Sequence, residues 1–547
     1  GTVALTTDGD GDATVVNDTL LDFANSTVRG NLVATATTGH IIDTGTLTIT
    51  GAAKFITTAG NKNIELNSAS NAFASEVTMQ AGTGSNVAFG NIAFVDSEAV
   101  KLHSSAGANG DLFIDGSTDG AVGGNLSITA TTGNITQGIA LDVTGTSSLV
   151  TSGQGATIDL TTTTNAFTGE LLITTNDNNT PADGTYAAHA SIDGGTTNLI
   201  IGTSTIDGNL TLLSGGTITD TASSTVTVKG DLNATTDANN SNITLDGLEV
   251  SGAYILDPHG TGIVTIVNAA GIDFVAMTVD GALSATATTG NITQSGALTI
   301  TGTTTLVTSA DNATITLNDA GNAFTGKLLI TTNDTGSETD GDVEIDGGTT
   351  NLILGASTID GDLTLRSGGT ITDDGIATVR GTLTATTDQS DKIITLDELA
   401  VTGAFNLAPD GTGAVTIVNA AGLNLAASTM GGTFSGTATT GNISDSGTLA
   451  ITGTTTLVTS ADDATITLDD TSNAFTGALT ITTNDSSGTD ADVTIDGGTT
   501  ALIIATSTID GNLTLTSGHA SGIADTGNVT VAGNLIATTD ANSGVID

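Results

Sequence analysis

One phrase returns along this chain, and its return restricts the fold more than any other feature. The phrase "ATTG" occurs four times, and each time the phenylalanine of "NAF" follows its glycine at the same separation of 34. The four pairs are Gly39 with Phe73, Gly133 with Phe167, Gly290 with Phe324, and Gly441 with Phe475. A chain that keeps one spacing four times builds one unit repeatedly, so we expect a repeat architecture.

The distances between the copies predict how the repeats are organised. The steps between successive "ATTG" glycines are 94, 157 and 151, so the first step is shorter than the second by 63. Inside a copy, a glycine followed by apolar residues recurs mostly at steps of about 20 to 24 residues, as at Gly361, Gly381 and Gly403. The missing length is then about three coils, which a stacked fold tolerates. We expect an irregular, shortened copy at 1–120 and super-repeats at 121–280, 281–432 and 433–547, the last one truncated at its end.

Each coil reads as short strands with alternating apolar residues, separated by Gly, Asn, Asp and Ser turns. "LTITGTTTLVT" at 298–308 is an example, and the many Thr, Val and Gly residues disfavour helices. Such coils bury their apolar side chains by stacking in parallel, with Ile, Leu, Val and Ala inside and Thr, Asp and Asn outside. The sequence therefore predicts an all-β fold, a parallel β-helix solenoid of roughly 25 coils. A β-propeller is the alternative, but its blades are longer and carry aromatic signatures.

Two features of the repeat predict internal details. In "TATTGNITQSG" at 286–296, we expect Gly290 and Asn291 to take a corner with positive φ. The "NAF" phenylalanines should pack in the core, and the asparagines beside them should bond to turn backbone inside the coil. Those asparagines are Asn71, Asn165, Asn322 and Asn473.

Composition excludes several partner classes. The formal net charge of −49 repels nucleic acid and anionic lipid headgroups, and favours divalent cations. We therefore expect no nucleic-acid partner. The absence of cysteine fits a protein exported unfolded. The sequence has no apolar run of about 18 residues, so we expect no membrane insertion. The first residues show no signal peptide, so we interpret the chain as a mature piece of a longer protein.

The repeats resemble those of giant filamentous-haemagglutinin-like surface proteins, the exported partners in bacterial two-partner secretion. The likeness is compositional and periodic, covers nearly the whole chain, and is clear in "TATTGNITQSGALTITGTTTLVTSADNATITLNDAGNAFTG" at 286–326. The resemblance implies a right-handed β-helical shaft, export through an outer-membrane pore, and a role in adhesion, biofilm or contact between cells.

No residue set predicts catalysis. The five histidines have no counterparts in the other copies; His40, for example, corresponds to Asn134, Asn291 and Asn442, which indicates surface positions. The aspartates of "IDGG" and "TIDG" recur in every full copy, as turn residues do, although carboxylate pairs also occur in β-helical polysaccharide enzymes. These aspartates are Asp193, Asp346 and Asp496, and Asp207, Asp360 and Asp510.

One segment has the pattern of a calcium site. In "TTDGDGDATVVND" at 6–18, Asp8, Asp10 and Asp12 alternate with glycines, so their oxygens are able to converge on Ca²⁺. The segment lacks the closing Glu of an EF-hand loop, and an acidic turn is the alternative. We expect no cofactor to be required, with calcium the one candidate.

Between "TTND" and "IDGG" the copies differ in length, which predicts loops that protrude from the stack. The segment 176–190, with Pro181, Tyr186 and His189, is the most distinctive. Our interpretation is a non-enzymatic extracellular structural protein, the shaft of a cell-surface adhesin or fibre. Its expected partners are other copies or further repeats, and the cell surface or extracellular matrix. A polysaccharide-active β-helix enzyme and an ice- or mineral-binding module are the alternatives.

Overall fold

The computed structural model of the protein describes residues 1–82, 89–102, 111–114, 121–178, 186–333, 335–336, 340–484, 486 and 490–547. Every regular element in these ranges is a β-strand, and the strands of successive coils pair in parallel, which gives a β-solenoid of about 24 turns. The predicted all-β class and parallel β-helix are confirmed. The described ranges contain no helix long and apolar enough to cross a membrane.

The solenoid divides into two compact units, Gly1–Ala270 with Val279–Gly281, and Gly271–Thr278 with Ala282–Asp547. The predicted boundaries at 120, 280 and 432 stay predictions. In each unit two long sheets, here called the first and the second, run along the stack, and strands of two or three residues form small additional sheets.

The strands of the first unit are grouped by sheet. Its first sheet contains Thr2–Val3, Leu21–Phe23, Ile41–Asp43, Ile64–Leu66, Ile92–Asp96, Leu126–Ala130, Ser147–Thr151, Glu170–Thr174, Leu199–Ile201, Ser204–Ile206, Ile218–Asp220, Val226–Val228, Ile243–Val250 and Val264–Asn268. Its second sheet contains Ala13–Asn17, Leu32–Ala36, Ala53–Thr57, Val77–Ala81, Val100–Leu102, Asp111–Ile114, Ile135–Gln137, Ile158–Leu160, Ala190–Asp193, Leu210–Ser214, Leu232–Thr236 and Ala253–Asp257. Its small sheets contain Ser26–Val28, Leu47–Ile49 and Ala72–Phe73, and Ala121–Val122, Asp142–Val143 and Ala166–Phe167.

The strands of the second unit follow the same grouping. Its first sheet contains Leu283–Ala287, Thr304–Asp311, Lys327–Asn333, Leu352–Ile359, Ile371–Val379, Ile394–Val401, Val415–Asn419, Phe434–Ala438, Thr455–Thr459, Leu479–Thr482, Leu502–Ile504, Ser507–Ile509, Ile523–Asp525 and Val529–Val531. Its second sheet contains Ile272–Phe274, Ile292–Gln294, Ile315–Leu317, Val343–Asp346, Leu363–Ser367, Leu383–Thr387, Ala404–Ala408, Leu423–Leu425, Ile443–Asp445, Ile466–Leu468, Val493–Asp496, Leu513–Ser517 and Leu535–Thr539. Small-sheet strands are Leu298–Ile300 and Ala323–Phe324, and Ser428–Met430, Leu449–Ile451 and Ala474–Phe475; Met277–Val279 lies across the division between the units.

One strand of each coil, here called the long strand, pairs over four or five consecutive positions with the long strand of the next coil. The other sheet of the same coil has short strands or a strand whose register shifts near its middle, as in Leu352–Ile359 and Ile371–Val379. This long strand changes sheet in runs of a few coils. In the first unit it belongs to the second sheet over 13–81, to the first sheet over 92–174, and to the second sheet again over 190–257. In the second unit it belongs to the first sheet over 283–333, the second over 343–408, the first over 415–482 and the second over 493–539. At the changes after 174 and after 482, the last long strand of the first sheet pairs with two short strands, whereas Lys327–Asn333 pairs with the single strand Leu352–Ile359 through a register shift. Leu479 pairs with Ile504, for example, and Thr482 with Thr508.

Apolar residues inside the coils form continuous columns. Along the second sheet of the second unit, the register places five fully buried side chains one above another: Val343, Leu363, Leu383, Phe405 and Leu425. Parallel strands lie about 4.8 Å apart, so neighbours in such a column are in van der Waals contact. The "NAF" phenylalanines are at most 2% exposed, which confirms their predicted place in the core.

The alternation pattern predicted that polar residues lie only on the outside of the coils, but some of them are buried. At or near the end of many long strands lies a buried threonine whose hydroxyl donates to the carbonyl oxygen five residues further on, at 3.1–3.3 Å. These residues are Thr57, Thr151, Thr236, Thr308 and Thr459. The chain turns a corner there, and a short hydroxyl satisfies a carbonyl group that the ladder leaves unpaired.

The predicted positive-φ corner at Gly290 and Asn291 was wrong, because neither residue has a positive φ. Close approach between coils explains the glycine of this phrase. A β-carbon at Gly39 would overlap the backbone of Thr19, and one at Gly441 would lie 2.8 Å from the backbone nitrogen of Gly422. Asn291 does serve the corner, since its Oδ1 accepts a hydrogen bond from the N–H of Thr314 at 2.9 Å.

Candidate functional site

The three aspartates of the expected calcium site are exposed and lie between the first two strands of the chain. In the part of the chain that the structure describes, no group of three or more His, Cys, Asp or Glu side chains converges as metal ligands, and Asp8, Asp10 and Asp12 are included in that statement. Asp12 instead has a structural contact, since its Oδ1 accepts the N–H of Asn31 at 2.7 Å. Calcium binding here stays a prediction.

The repeated aspartates of "IDGG" close turns, as the sequence predicted. Oδ1 of Asp193, Asp346 and Asp496 accepts the N–H of the glycine two residues on, at 2.7 Å in all three copies. These glycines, Gly195, Gly348 and Gly498, have φ of 63°, 56° and 52°, a region that L side chains rarely adopt. The carboxylates therefore hold a left-handed turn against the neighbouring coil.

His40 and His189 are built into the backbone network, whereas His259 and His519 are exposed, as predicted. Nδ1 of His40 accepts the N–H of Asn63 at 2.9 Å. The equivalent Asn134, Asn291 and Asn442 accept the N–H groups of Thr157, Thr314 and Thr465 at the same distance. His189 does likewise, accepting the N–H of Asn209 at 2.9 Å. The ring nitrogen replaces an amide oxygen, which the comparison of copies had not predicted. His103 lies outside the described residues.

A cluster around Lys229 anchors the distinctive loop 176–190, of which residues 179–185, Pro181 among them, lie outside the described residues. Lys229 Nζ lies 2.9 Å from Asp207 Oδ1, donates to the carbonyl oxygen of Asp177 at 3.3 Å, and stands 5.8 Å from the centre of the Tyr186 ring. Asp207 Oδ2 accepts the N–H of Asp177 at 2.9 Å. The two described ends of the loop are thus held by one cation and one buried carboxylate.

The same positions differ in the other copies. Arg380 replaces Lys229 and lies 3.7 Å from Asp360, the counterpart of Asp207. In the third copy Ala532 occupies this position. The residue at the anchoring position is therefore specific to each copy, a lysine, an arginine or an alanine, as expected of a loop whose role varies along the chain.

A second copy-specific cation lies in a groove on the second sheet of the second unit. The groove has a volume of about 180 Å³, and Glu344, Asp346, Thr364 and Arg366 are among its lining residues. Arg366 Nε lies 2.7 Å from Asp388 Oδ2 in the next coil and 3.6 Å from Asp346 Oδ2 in the previous one. Burial raises the pKa of Asp346, whereas the Arg366 guanidinium lowers it. The arginine thus stands between two stacked carboxylates that would otherwise repel each other.

Sequence reasoning missed these cations and one buried acid, Asp96. Each stands where the other copies have a different residue: Leu213 and Thr516 correspond to Arg366, and Asn268 and Asn419 correspond to Asp96. A copy-by-copy comparison of charged residues would have found them. Recurring residues indicate what builds the coil, whereas copy-specific chemistry appears where the repeat is broken.

Comparison with known families finds a match to a repeat family. A model described as repeats of unknown function (DUF5649) matches six segments, 10–80, 90–174, 187–252, 261–331, 340–408 and 412–482. No curated protein and no solved structure matches the chain.

The matched segments correspond to the runs in which the long strand keeps to one sheet. Segments 10–80, 187–252 and 340–408 have it in the second sheet, and segments 90–174, 261–331 and 412–482 have it in the first. One family repeat is therefore about three coils, and a super-repeat is two family repeats of opposite arrangement. The shortened first copy lacks about one family repeat. Its "NAF" segment accordingly has the long strand in the second sheet, whereas the later ones have it in the first.

Proposed function

We propose that this chain, which belongs to the DUF5649 family of repeats, is the non-enzymatic shaft of an extracellular adhesin or surface fibre that mediates attachment, biofilm formation or contact between cells. The observation that carries the proposal is the stacking of parallel coils among the described residues of each unit. Two long sheets run along the stack, so the backbone hydrogen bonds between the described strands lie along it, and within the described ranges the free strand edges lie at its ends. Such a body resists extension and gains length by adding coils.

The anchored loops suit the proposed role. The described ends of loop 176–190 lie at a junction between a first-sheet run and a second-sheet run, where Lys229 and Asp207 hold them. Loop length varies between copies at this junction while the coils on either side keep their register. We propose that these loops contact the cell surface or matrix, and that the coils supply the reach.

The last coil of the second unit supports a self-association partner. Leu535 and Ile546 are 60% and 55% exposed there, and they line a cavity of about 310 Å³ together with the buried Leu513 and Leu515. The apolar column thus opens at this face, and a further coil of the same kind would cover it. We propose that the coil comes from another copy or from further repeats of a longer chain.

The proposed location is tested on the cells that produce the protein. An antibody against the full chain should label intact cells as strongly as permeabilised ones. Labelling only after permeabilisation would overturn the extracellular role.

The proposed shaft role is tested by shortening the chain by one super-repeat. Deletion of 331–481 joins Ile330 to Thr482, the equivalent of Thr331, and so preserves the order of the runs. We expect unchanged surface labelling and weaker attachment, because the loops reach less far. A matched variant with Asp207→Asn and Lys229→Ala should keep the full length of the stack. Any loss of attachment in this variant would then come from the released loop. Unchanged attachment in both would contradict the proposal.

A further inference from the structure

Two asparagines lie at the junction where the long strand passes from the second sheet to the first, each opposite the end of an eight-residue strand whose register shifts near its middle. Asn268 Oδ1 accepts the N–H of Val250 at 2.9 Å, and its Nδ2 donates to the carbonyl oxygen of the same residue at 3.0 Å. Asn419 makes the same two bonds with Val401, at 2.8 Å each. Both asparagines are fully buried. The side chain thus needs one acceptor and one donor to satisfy the backbone of a single residue.

The same junction occurs earlier in the chain, and there an aspartate, Asp96, replaces the asparagine. Asp96 ends the strand Ile92–Asp96, the first long strand of its run, as Asn268 and Asn419 do in theirs, and it is 1% exposed. Phe73, the last residue of the preceding short strand, replaces Val250 and donates its N–H to Asp96 Oδ1 at 3.4 Å. Asp96 Oδ2, the counterpart of the asparagine Nδ2, has no hydrogen-bond partner among the described residues.

We propose that Asp96 is a neutral carboxylic acid in the folded coil, that its Oδ2–H donates to the carbonyl oxygen of Phe73, and that its ionisation at rising pH loosens this coil. Only the protonated form supplies the donor that Asn268 and Asn419 supply in the other copies. The ionised form places an acceptor against a carbonyl oxygen in a site without water contact, which is unfavourable for both groups.

The surroundings of Asp96 favour the neutral form. Burial raises the pKa of Asp96 to about 6, and the N–H groups of Phe73, Glu98 and Ser97 oppose this shift only in part. The carboxylate of Glu98 raises the pKa further. Of the two paired strands, Ile64–Leu66 has its one charged residue, Glu65, on the outer side, and Leu126–Ala130 has no charged residue. Lys101 of the strand Val100–Leu102 is exposed, so no described cation faces the group.

The sign of the pH dependence follows from these values. The folded coil binds the Asp96 proton up to about pH 6, whereas an unfolded aspartate releases it near 3.8. Folding therefore takes up a proton between these values, and the stability of the coil falls as the pH rises through them. Below the unfolded value the neutral acid makes its full contribution, and above about pH 6 that contribution is lost.

The chain contains no cysteine, so a single cysteine introduced at a buried position measures this effect by its rate of labelling. Ala130 pairs with Asp96 in the next coil and is fully buried, so Ala130→Cys reports on opening of this junction. The labelling rate of the full-length protein is divided by that of the urea-unfolded protein at the same pH. We expect the protection of this thiol to fall roughly 30-fold between pH 4.5 and 7.5. With Asp96→Asn, protection should stay at its acid value throughout.

The other junction provides a matched control. Ala438 pairs with Asn419 as Ala130 pairs with Asp96, and it is also fully buried. Protection of Ala438→Cys should be independent of pH, and Asn419→Asp should introduce the same fall. Equal protection at both pH values in the Ala130→Cys protein, or a fall that persists after Asp96→Asn, would overturn the proposal. If Ala130→Cys does not fold, the carboxyl ¹³C shift of Asp96 in the unaltered chain decides, and a midpoint below pH 4.5 would be the contrary result.

Discussion

Asn165 and Gln137 form a reciprocal amide pair between neighbouring coils. Asn165 Nδ2 donates to Gln137 Oε1 at 3.0 Å, and Gln137 Nε2 donates to Asn165 Oδ1 at 2.8 Å. Asn165 Oδ1 also accepts the N–H of Leu141 at 2.8 Å, and Nδ2 donates to the carbonyl oxygens of Leu160 and Asp193. One buried side chain thus ties together strands of successive coils. The predicted role of the "NAF" asparagines in bonding to backbone is confirmed.

We predict that Asn165→Ala destabilises the first unit by about 2–4 kcal/mol, because one buried N–H and two carbonyl groups lose their partner. The midpoint of urea unfolding measures the change. Asn239, which is exposed, provides the control, and Asn239→Ala should stay within about 0.5 kcal/mol of the unaltered protein. Equal effects of the two substitutions would contradict the role assigned to the pair.

Glycine substitutions separate backbone strain from contact between coils. Gly348 has a φ of 56°, and a β-carbon there would overlap the carbonyl oxygen of Asn322; Gly9 has a φ of 61° with nothing within 4 Å. We expect Gly348→Ala to cost about 3 kcal/mol or more and Gly9→Ala about 1 kcal/mol, since only the first adds a steric clash to the left-handed conformation. Thermal and urea unfolding of both variants test this, and similar costs would show that the coils are not in close contact at Gly348.

The arginine between Asp346 and Asp388 should stabilise the second unit only while the carboxylates are ionised. Arg366→Leu, which introduces the residue of the first super-repeat, removes the group that lowers the pKa of Asp346, so that pKa rises further above its unfolded value. The stability difference between the two proteins is then absent at pH 3 and grows as the pH rises through the folded pKa of Asp346. Because the Arg366 side chain is 58% exposed, we expect at most about 1 kcal/mol at pH 7.

A double-mutant cycle controls the Arg366 prediction. In an Asp346→Asn background, Arg366→Leu should lose most of its pH-dependent effect, leaving the contribution of Asp388. A pH-independent cost in both backgrounds would indicate lost packing of the arginine stem instead.

Calcium at the amino-terminal aspartates is tested by chelation. If Asp8, Asp10 and Asp12 bind the ion, about 1 mM calcium at low salt should raise the Tm, and a chelator should reverse the gain. Replacement of all three by asparagine should abolish the response, while the amide introduced by Asp12→Asn keeps an oxygen that accepts the N–H of Asn31. A Tm unaffected by calcium and by the chelator would exclude a structural ion in this segment.

The sequence predicted the stacked parallel coils because periodicity reports directly on which residues are buried, and the column from Val343 to Leu425 has that pattern. The sequence did not predict that the long strand changes sheet, because a five-residue strand has the same alternating residue pattern on either sheet. The buried threonines at strand ends were missed for a related reason. Thr57 satisfies a backbone carbonyl at a corner, a requirement of geometry that strand alternation does not encode. The role of Asp96 required its comparison with Asn268 and Asn419 in three dimensions.

The change of sheet between successive family repeats is tested most directly by cross-linking in the second unit. The structure pairs Thr395 with Thr416 across the junction, whereas Asn406 pairs with Thr384. If the long strands Ala404–Ala408 and Val415–Asn419 stacked on one sheet, Asn406 would instead face Thr416. A short thiol cross-linker should therefore join the cysteines of the Thr395→Cys, Thr416→Cys protein, since paired strands lie about 4.8 Å apart, and should fail with Asn406→Cys, Thr416→Cys. Cross-linking of the second pair and not of the first would contradict the account.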